Sequence, residues 1–152
     1  MSYDAKAAEL GLELPPAAAP IANYVPSVRT GNLVFLSGHG PVGPDGLVRG
    51  KLGADLSIEE GAAAARLVMI GLLGSLKSEL GSLDQVQRIV KLLCMVNCTP
   101  DFGDPPKVAN GASDLLVELF GDAGKHARSA VGMNSLPMGM AVEIEMIVEV
   151  AD

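Results

Sequence analysis

The sequence contains few aromatic residues. Phe and Tyr make up 3% of its 152 residues, and Trp is absent. The core must therefore be built mainly from aliphatic side chains and Met. A chain of this length fits one compact domain with a substantial core.

Cysteine and histidine are also scarce. Cys94 and Cys98 lie four residues apart in one predicted strand, which is not the spacing of a redox CxxC motif. His39 and His126 are distant from them in the sequence, and no HExxH or paired CxxC motif occurs. We therefore predict packing roles for both cysteines and no bound metal.

Basic residues are outnumbered, since 11 Lys and Arg stand against 18 Asp and Glu. The formal net charge of −7 opposes attraction to a nucleic-acid backbone. The N-terminal residues lack the pattern of a signal peptide, and the most apolar run, residues 61–76, is interrupted by Arg66 and shorter than a membrane span. We expect a soluble, cytoplasmic protein with neither a nucleic-acid nor a membrane partner.

Apolar residues are abundant, at 49% of the chain, with a mean hydropathy of +0.34. Such a surplus in a small protein needs a surface that covers it, and contacts between identical subunits are one solution. The composition therefore favours an oligomer.

The hydrophobic patterns predict an α+β fold. A weak helical pattern over Asp4–Leu10 and a Pro- and Ala-rich linker make residues 1–22 an arm, and residues 23–152 form the single domain. One long helix begins at a capping box formed by Ser57 and Glu60 and ends at Gly81, and a second begins at Pro105 with Asp104 as its cap and ends at Gly121. The main predicted strands are two segments around the turn Gly31-Asn32, the second covering Leu33–Ser37, then Gln87–Asn97, Ala127–Met133 and Met140–Val150.

The order of elements is thus β-β-(β)-α-β-α-β-β after the helical arm, where the bracketed short strand follows the turn Pro44-Asp45-Gly46. One sheet with two helices on one face is the economical packing. The other face of that sheet would remain open, and further copies of the chain would cover it.

The segment GHGPVG, residues 38–43, matches the G-x-G-x-x-G pattern of dinucleotide sites. In such sites the pattern opens a helix, whose N-terminus receives the pyrophosphate. Here Pro41 and the turn at Pro44-Asp45-Gly46 follow instead. We predict a turn and no dinucleotide.

Arg128 stands out in the apolar segment HARSAVGMNSLPMGMAVEIEM, residues 126–146. If the last two strands pair with each other, Arg128 faces a strand that carries Glu143 and Glu145. One interpretation is a cross-strand ion pair on an exposed face. The other is a receptor for a substrate carboxylate, with a glutamate that handles a proton or a water.

Several segments together resemble the RidA (YjgF-type) family of enamine/imine deaminases. They are NYVPSVRTGNLVFLSG, the capping-box helix, the VNC strand, the helix end DLLVELFG and, above all, ARS followed by LP and VEIE. The resemblance extends from about Tyr24 to Val150 in the order and spacing of the family.

The resemblance implies a six-stranded mixed sheet with two helices on one face, assembled sheet to sheet as a homotrimer with clefts between subunits. It implies hydrolysis of small reactive 2-enamino and 2-imino acids, such as 2-aminoacrylate and 2-iminobutanoate, to 2-keto acids and ammonia without a cofactor. The partner is then a small carboxylate-bearing substrate.

By the same resemblance, Arg128 is the carboxylate-binding residue and Glu143 orients the catalytic water. The tyrosine at the cleft mouth corresponds to Tyr24, and the Ser-Gly pair to Ser37 and Gly38.

The chain departs from the family pattern at several positions. His39 and Gly40 stand where Gln and an apolar residue are usual, and Ala130 stands where many members carry Cys. The usual Asn of the second helix falls on Ser113, while Asn110 lies nearly one turn earlier. These departures predict a changed pocket, with His39 and Ser113 as further substrate-binding candidates.

Two functions stay open on these residues. The first is a deaminase. The second is a non-catalytic trimer that binds small carboxylates or keto acids as a sensor. Ribonuclease activity, long attached to the family name, fits the charge of −7 poorly.

Overall fold

A five-stranded sheet forms the centre of the computed structural model, which describes residues 2–19 and 23–152. The order across the sheet is β1-β2-β7-β5-β6, and only the pair β5–β6 is parallel. These strands are β1 (Ser27–Thr30), β2 (Leu33–His39), β5 (Val86–Asn97), β6 (Ala127–Met133) and β7 (Val142–Val150).

The predicted six strands differ from this count. The short strand after Pro44-Asp45-Gly46 does not join the sheet. It forms a separate two-stranded ribbon, β3 (Val42–Gly43) with β4 (Gly46–Leu47). With two residues in each strand, the ribbon offers too few backbone groups to extend a ladder. Isolated bridges follow it, among them one between Arg49 and Met140.

The two long helices, α2 (Ile58–Leu80) and α3 (Pro105–Phe120), contact each other and the same face of the sheet. The capping box of Ser57 and Glu60 is present as predicted. Gly81 ends α2 with φ of 83°, a left-handed conformation that favours glycine.

By length and composition α2 could cross a membrane, but 56% of its most apolar window is buried within the domain, as in a core helix. The apolar run noted in the sequence, residues 61–76, covers only part of α2, which is why it looked shorter than a membrane span.

One predicted detail of α3 is wrong. Asp104 occupies the N-cap position, but its side chain makes no capping hydrogen bond. Its carboxylate lies 3.6 Å from the Lys107 ammonium instead. Pro105 begins the helix, where its missing N–H leaves no broken bond.

The assumed pairing of the last two strands is also wrong. Strand β6 is an edge strand that pairs only with β5, while β7 lies between β2 and β5. The connection from β5 to β6 passes through α3, and a crossover of this kind joins parallel strands. Strand β7 alternates as predicted: Val142, Ile144, Met146, Val148 and Val150 are buried under the helices, while the residues between them face away.

A third helix, α1 (Tyr3–Glu9), confirms the helical arm and adds to the two predicted helices. Ala7 joins the hydrophobic core, and the ring of Tyr3 packs edge-on against Phe120 at 4.7 Å. The last residues of the predicted linker, 20–22, lie outside the described residues. The division of the chain at residue 22 stays a prediction.

The face of the sheet opposite the helices is partly apolar and exposed. We call it the open face. Val28, Phe35 and Val131 are the most exposed of its large apolar side chains. Its other outward residues include Ser37, Lys91, Leu93, Met95, Ser129, Glu143, Glu145 and Ile147.

Candidate functional site

Arg128 lies on the edge strand β6 and points to the helix side of the sheet. Its Cα partner on β5 is Leu92, which is fully buried under the helices. Nη1 of Arg128 donates to Asn110 Oδ1 at 2.9 Å and to Ser113 Oγ at 3.0 Å, both on α3. In residues 2–19 and 23–152, Nε and Nη2 have no hydrogen-bond or ion-pair partner. That edge of the guanidinium can therefore bind a carboxylate through two parallel bonds.

The geometry excludes a cross-strand ion pair between Arg128 and a glutamate of β7. Strand β5 lies between the two strands, and Glu143 and Glu145 belong to the open face. The interpretation of Arg128 as a cross-strand ion pair is therefore wrong, and its role as a carboxylate receptor stays a prediction.

Ser113 connects Arg128 to a histidine. The Ser113 hydroxyl lies 2.9 Å from Nε2 of His126, and Nδ1 of His126 lies 2.6 Å from the Gly124 carbonyl oxygen. We call Arg128, Asn110, Ser113 and His126 the arginine cluster.

Sequence reasoning placed Ser113 at the site but missed Asn110 and His126. The signal for Asn110 was its spacing, because residues three apart on a helix share a face. His126 gave a weaker signal, since its contact with Ser113 depends on how β6 docks against α3.

Glu143 lies on the open face beside Gly38 of β2. A Cβ atom on Gly38 would clash with the Glu143 carboxylate, at 2.9 Å from Cδ and 3.1 Å from Cγ. Burial raises the pKa of Glu143 above its ordinary value, and the nearby charge of Glu145 raises it further. A carboxylate with a raised pKa is a better base and exchanges a proton more readily near neutral pH.

The predicted Ser-Gly pair lies in a bulge of β2. Ser37 and Gly38 stand between Leu36 and His39, where the pairing with β7 shifts. The Ser37 hydroxyl donates to the Val25 carbonyl oxygen at 2.6 Å. This bond holds the segment that follows Tyr24, whose side chain is 54% exposed. We call Ser37, Gly38, Glu143 and Glu145 the glutamate cluster.

His39 points away from this cluster and towards α2. Its Nδ1 lies 2.7 Å from the Ser37 carbonyl oxygen, and its Nε2 lies 2.7 Å from the Ser75 hydroxyl. Burial lowers the pKa of His39 and outweighs the backbone hydrogen bonds, which raise it. Both ring nitrogens are thus engaged within the chain, and a substrate contact for His39 stays a prediction.

The sheet separates the two clusters. Glu143 pairs through Met95 with Val131, three residues along β6 from Arg128. Strand dimensions put the two Cα atoms about 10 Å apart along the strands and about 10 Å across them. Their side chains also point to opposite faces, so a small molecule cannot touch both in one chain.

Two surface depressions lie beside the clusters. One, of about 350 Å³, lies on the open face beside Phe35, Ser37 and Glu145. The other, of about 480 Å³, has Arg88, Lys125 and His126 in its lining. Neither is lined by Arg128 or by Glu143. No group of three or more His, Cys, Asp or Glu side chains in the described part of the chain is arranged to hold a metal ion.

Both cysteines are buried and unpaired, in accord with the predicted packing role. Cys94 is the Cα partner of Ala130, on the same helix-facing side of the sheet as Arg128. Burial raises the pKa of its thiol to about 12, although the Arg128 charge opposes the shift. The thiol is therefore protonated at neutral pH and a poor nucleophile.

Comparison with known proteins places this architecture in a family. The family described as "YjgF/chorismate mutase-like, putative endoribonuclease" matches residues 4–150. The chain belongs to this family. The resemblance that begins at Tyr24 thus extends through the N-terminal arm.

Individual proteins are similar to this chain over most of its length. Protein TCP17 of Trypanosoma cruzi is 46% identical over 142 residues, which cover 92% of this chain and 89% of TCP17. The crystal structure of a "putative endoribonuclease" from Shewanella oneidensis MR-1 is 33% identical, with a TM-score of 0.93 over 99% of this chain and 100% of that one.

TdcF of Escherichia coli, solved with bound serine, is a further relative. It is 26% identical to this chain and has a TM-score of 0.62, covering 91% of this chain and 94% of TdcF.

Proposed function

We propose that this YjgF-like protein hydrolyses small reactive 2-enamino and 2-imino acids to 2-keto acids and ammonia. The observation that carries the proposal is the guanidinium of Arg128, which α3 holds by Nη1 alone. Its Nε and Nη2 remain available for the substrate carboxylate.

The reaction needs only a water molecule and groups that move protons. With the carboxylate held on Arg128, the adjacent imine carbon is fixed in position. Glu143 takes a proton from the water as its oxygen bonds to the carbon of the protonated imine, and the C=N electrons move to nitrogen. The Glu143 carboxyl group then gives this proton to the amine, the C–N bond breaks as the hydroxyl passes its own proton back to Glu143 and becomes the keto oxygen, and ammonia and the keto acid leave. The raised pKa of Glu143 suits both steps.

A complete site on this proposal requires two subunits. The edge of β6 with Arg128 in one copy would meet Glu143 on the open face of the next copy. The exposed Val28, Phe35 and Val131 on the open face support its burial against another copy. We therefore propose a homotrimer with sites between its subunits.

The serine bound to TdcF supports a ligand of this class. Serine carries a carboxylate on the carbon that bears its amine, as the proposed substrates carry one beside the enamine or imine carbon. The shared feature is the one that Arg128 would bind.

A rate measurement tests the proposal. 2-Aminoacrylate or 2-iminobutanoate is generated in situ, and the release of keto acid is followed for wild type, Arg128→Ala and the control Arg66→Ala. Arg66 contacts Glu118 between the two long helices, away from both clusters. We expect loss of catalysis only in Arg128→Ala. Equal rates for wild type and Arg128→Ala would refute the deaminase.

A second candidate is a non-catalytic sensor of small carboxylates or keto acids. The arginine cluster favours it, because this cluster can hold a carboxylate without help from Glu143. Binding of a keto acid that depends on Arg128, without turnover of either imine substrate, would identify this function.

The ribonuclease activity in the descriptions of the family finds less support, because the net charge is −7. Cleavage of RNA at raised salt by protein free of contaminating nuclease would support it.

A further inference from the structure

We propose that His126 is a positioning residue, which orients the Ser113 hydroxyl and through it the guanidinium of Arg128. The inference rests on the proposed carboxylate-binding role of Arg128 and assigns a partner within the same site. His126 itself touches neither the substrate nor the reacting atoms.

With a neutral His126 ring, the contacts give each hydrogen bond one direction. A carbonyl oxygen can only accept, so the bond between Nδ1 of His126 and the Gly124 carbonyl requires the proton on Nδ1. In the neutral ring Nε2 is then an acceptor, and the Ser113 hydroxyl donates to it. The lone pairs of the Ser113 oxygen then accept the hydrogen bond from Nη1 of Arg128, because a guanidinium nitrogen can only donate.

These hydrogen bonds matter because the Ser113 hydroxyl could donate to a different acceptor. A serine within a helix can turn its hydroxyl to the carbonyl oxygen four residues earlier, here that of Ala109. Such a bond would draw the oxygen away from Arg128 and leave Asn110 as the sole anchor of Nη1. His126 opposes this alternative because its Nε2 accepts the hydrogen bond of the Ser113 hydroxyl on the side of β6.

A guanidinium held at two points keeps its free edge in one orientation. A two-bond contact with a carboxylate depends on that orientation, so loss of one anchor weakens binding. One hydrogen bond contributes about 0.5–1.5 kcal/mol, which corresponds to roughly 2- to 10-fold in affinity.

Three substitutions of His126 distinguish the role of Nε2 as acceptor from the other contacts of the ring. The oxygen of His126→Gln can replace Nε2 as the acceptor for Ser113. The amide of His126→Asn can replace the donor to Gly124 but is too short to reach Ser113. His126→Leu removes both bonds. Affinity for 2-oxobutanoate, measured by calorimetry, should fall about 2- to 10-fold in the Asn and Leu variants and return towards wild type in the Gln variant.

A double-mutant cycle tests the route through Ser113. In a Ser113→Ala background, His126→Leu should cause no further loss of affinity. A full additional loss in that background would overturn the proposal, and so would an Asn variant that binds as wild type does while the Gln variant binds weakly.

A measurement without ligand keeps this inference separate from the proposed function. The ¹⁵N–¹H signals of the Arg128 guanidinium report how freely it rotates. We expect distinct Nη signals in wild type and in His126→Gln, and averaged signals in His126→Asn, whether or not the protein turns over an imine.

Equal signals in the three proteins, or a His126 proton found on Nε2, would overturn the proposal even if deamination is observed. If deamination fails but these signals differ as expected, the positioning role stands and the proposed function alone is refuted.

Discussion

Replacement of Gly38 by Ala should disable Glu143 with little change in stability. The new Cβ would lie 2.9 Å from Cδ and 3.1 Å from Cγ of Glu143, while carbon atoms in comfortable contact are about 3.5–4.0 Å apart. Oε2 of Glu143 would lie closer still, so the carboxyl group must move by roughly 1 Å. Misplacement by about 1 Å at a reacting centre can cost on the order of 100-fold in rate.

The assay is steady-state release of keto acid from 2-iminobutanoate. We expect kcat of Gly38→Ala to fall roughly 10- to 100-fold with KM nearly unchanged, because Glu143 acts in the chemical step and Arg128 binds the substrate. The melting temperature should stay near that of wild type, because the displaced group is the end of a flexible side chain. Gly103→Ala is the matched control, since a Cβ there meets nothing within 4 Å. Wild-type kcat in Gly38→Ala would refute the assigned role of Glu143.

Three other substitutions give distinct results. Glu145→Gln removes a charge that raises the pKa of Glu143, so the acid limb of the pH–rate profile should move to lower pH; an unchanged limb would exclude this coupling. Asn110→Asp places a carboxylate on Nη1 of Arg128, so KM should rise more than in Asn110→Ala, and equal KM values would contradict competition for Arg128. Asp4→Ala should lower the melting temperature by about 2–6 °C at neutral pH, as measured by calorimetry, because hydrogen bonds to the carboxylate are lost.

The effect of Asp4→Ala should also depend on pH. Burial alone would raise the pKa of Asp4, but hydrogen bonds from Ser82, Leu83 and Lys77 outweigh it and hold the pKa below 3.8. A carboxylate with a lowered pKa stabilises the folded state above its unfolded pKa, and this stabilisation is lost as the pH falls through the folded pKa. The difference from wild type should therefore shrink in acid. A difference that stays constant down to pH 2 would show that Asp4 acts by packing.

Local patterns predicted the parts of the fold that depend on neighbours in the sequence. The sequence predicted the capping box of Ser57 and Glu60 and the alternation in β7, because a cap and a buried face are determined within a few residues. The pairing of β6 with β5 was not predicted, since it depends on where the α3 crossover returns the chain. An antiparallel hairpin of the last two strands was the simpler guess and the wrong one.

The candidate site shows the same division. Arg128 and Glu143 could be selected from the sequence, but their positions on opposite faces follow from the pairing of β6 and β7 with β5. Asn110 lies one helical turn from Ser113 and could have been included on spacing. His126 required the docked position of β6 against α3, which no local pattern contains.

Mixing two inactive variants tests the central claim, a deaminase site shared between subunits, most directly. Arg128→Ala and Glu143→Gln would each be inactive alone, and their co-expression in equal amounts would assemble mixed oligomers. Random assortment gives about one quarter of the sites both an intact Arg128 and an intact Glu143 from different chains, so about a quarter of wild-type deaminase activity should return. Activity no greater than that of the separate variants would contradict a site built from two chains.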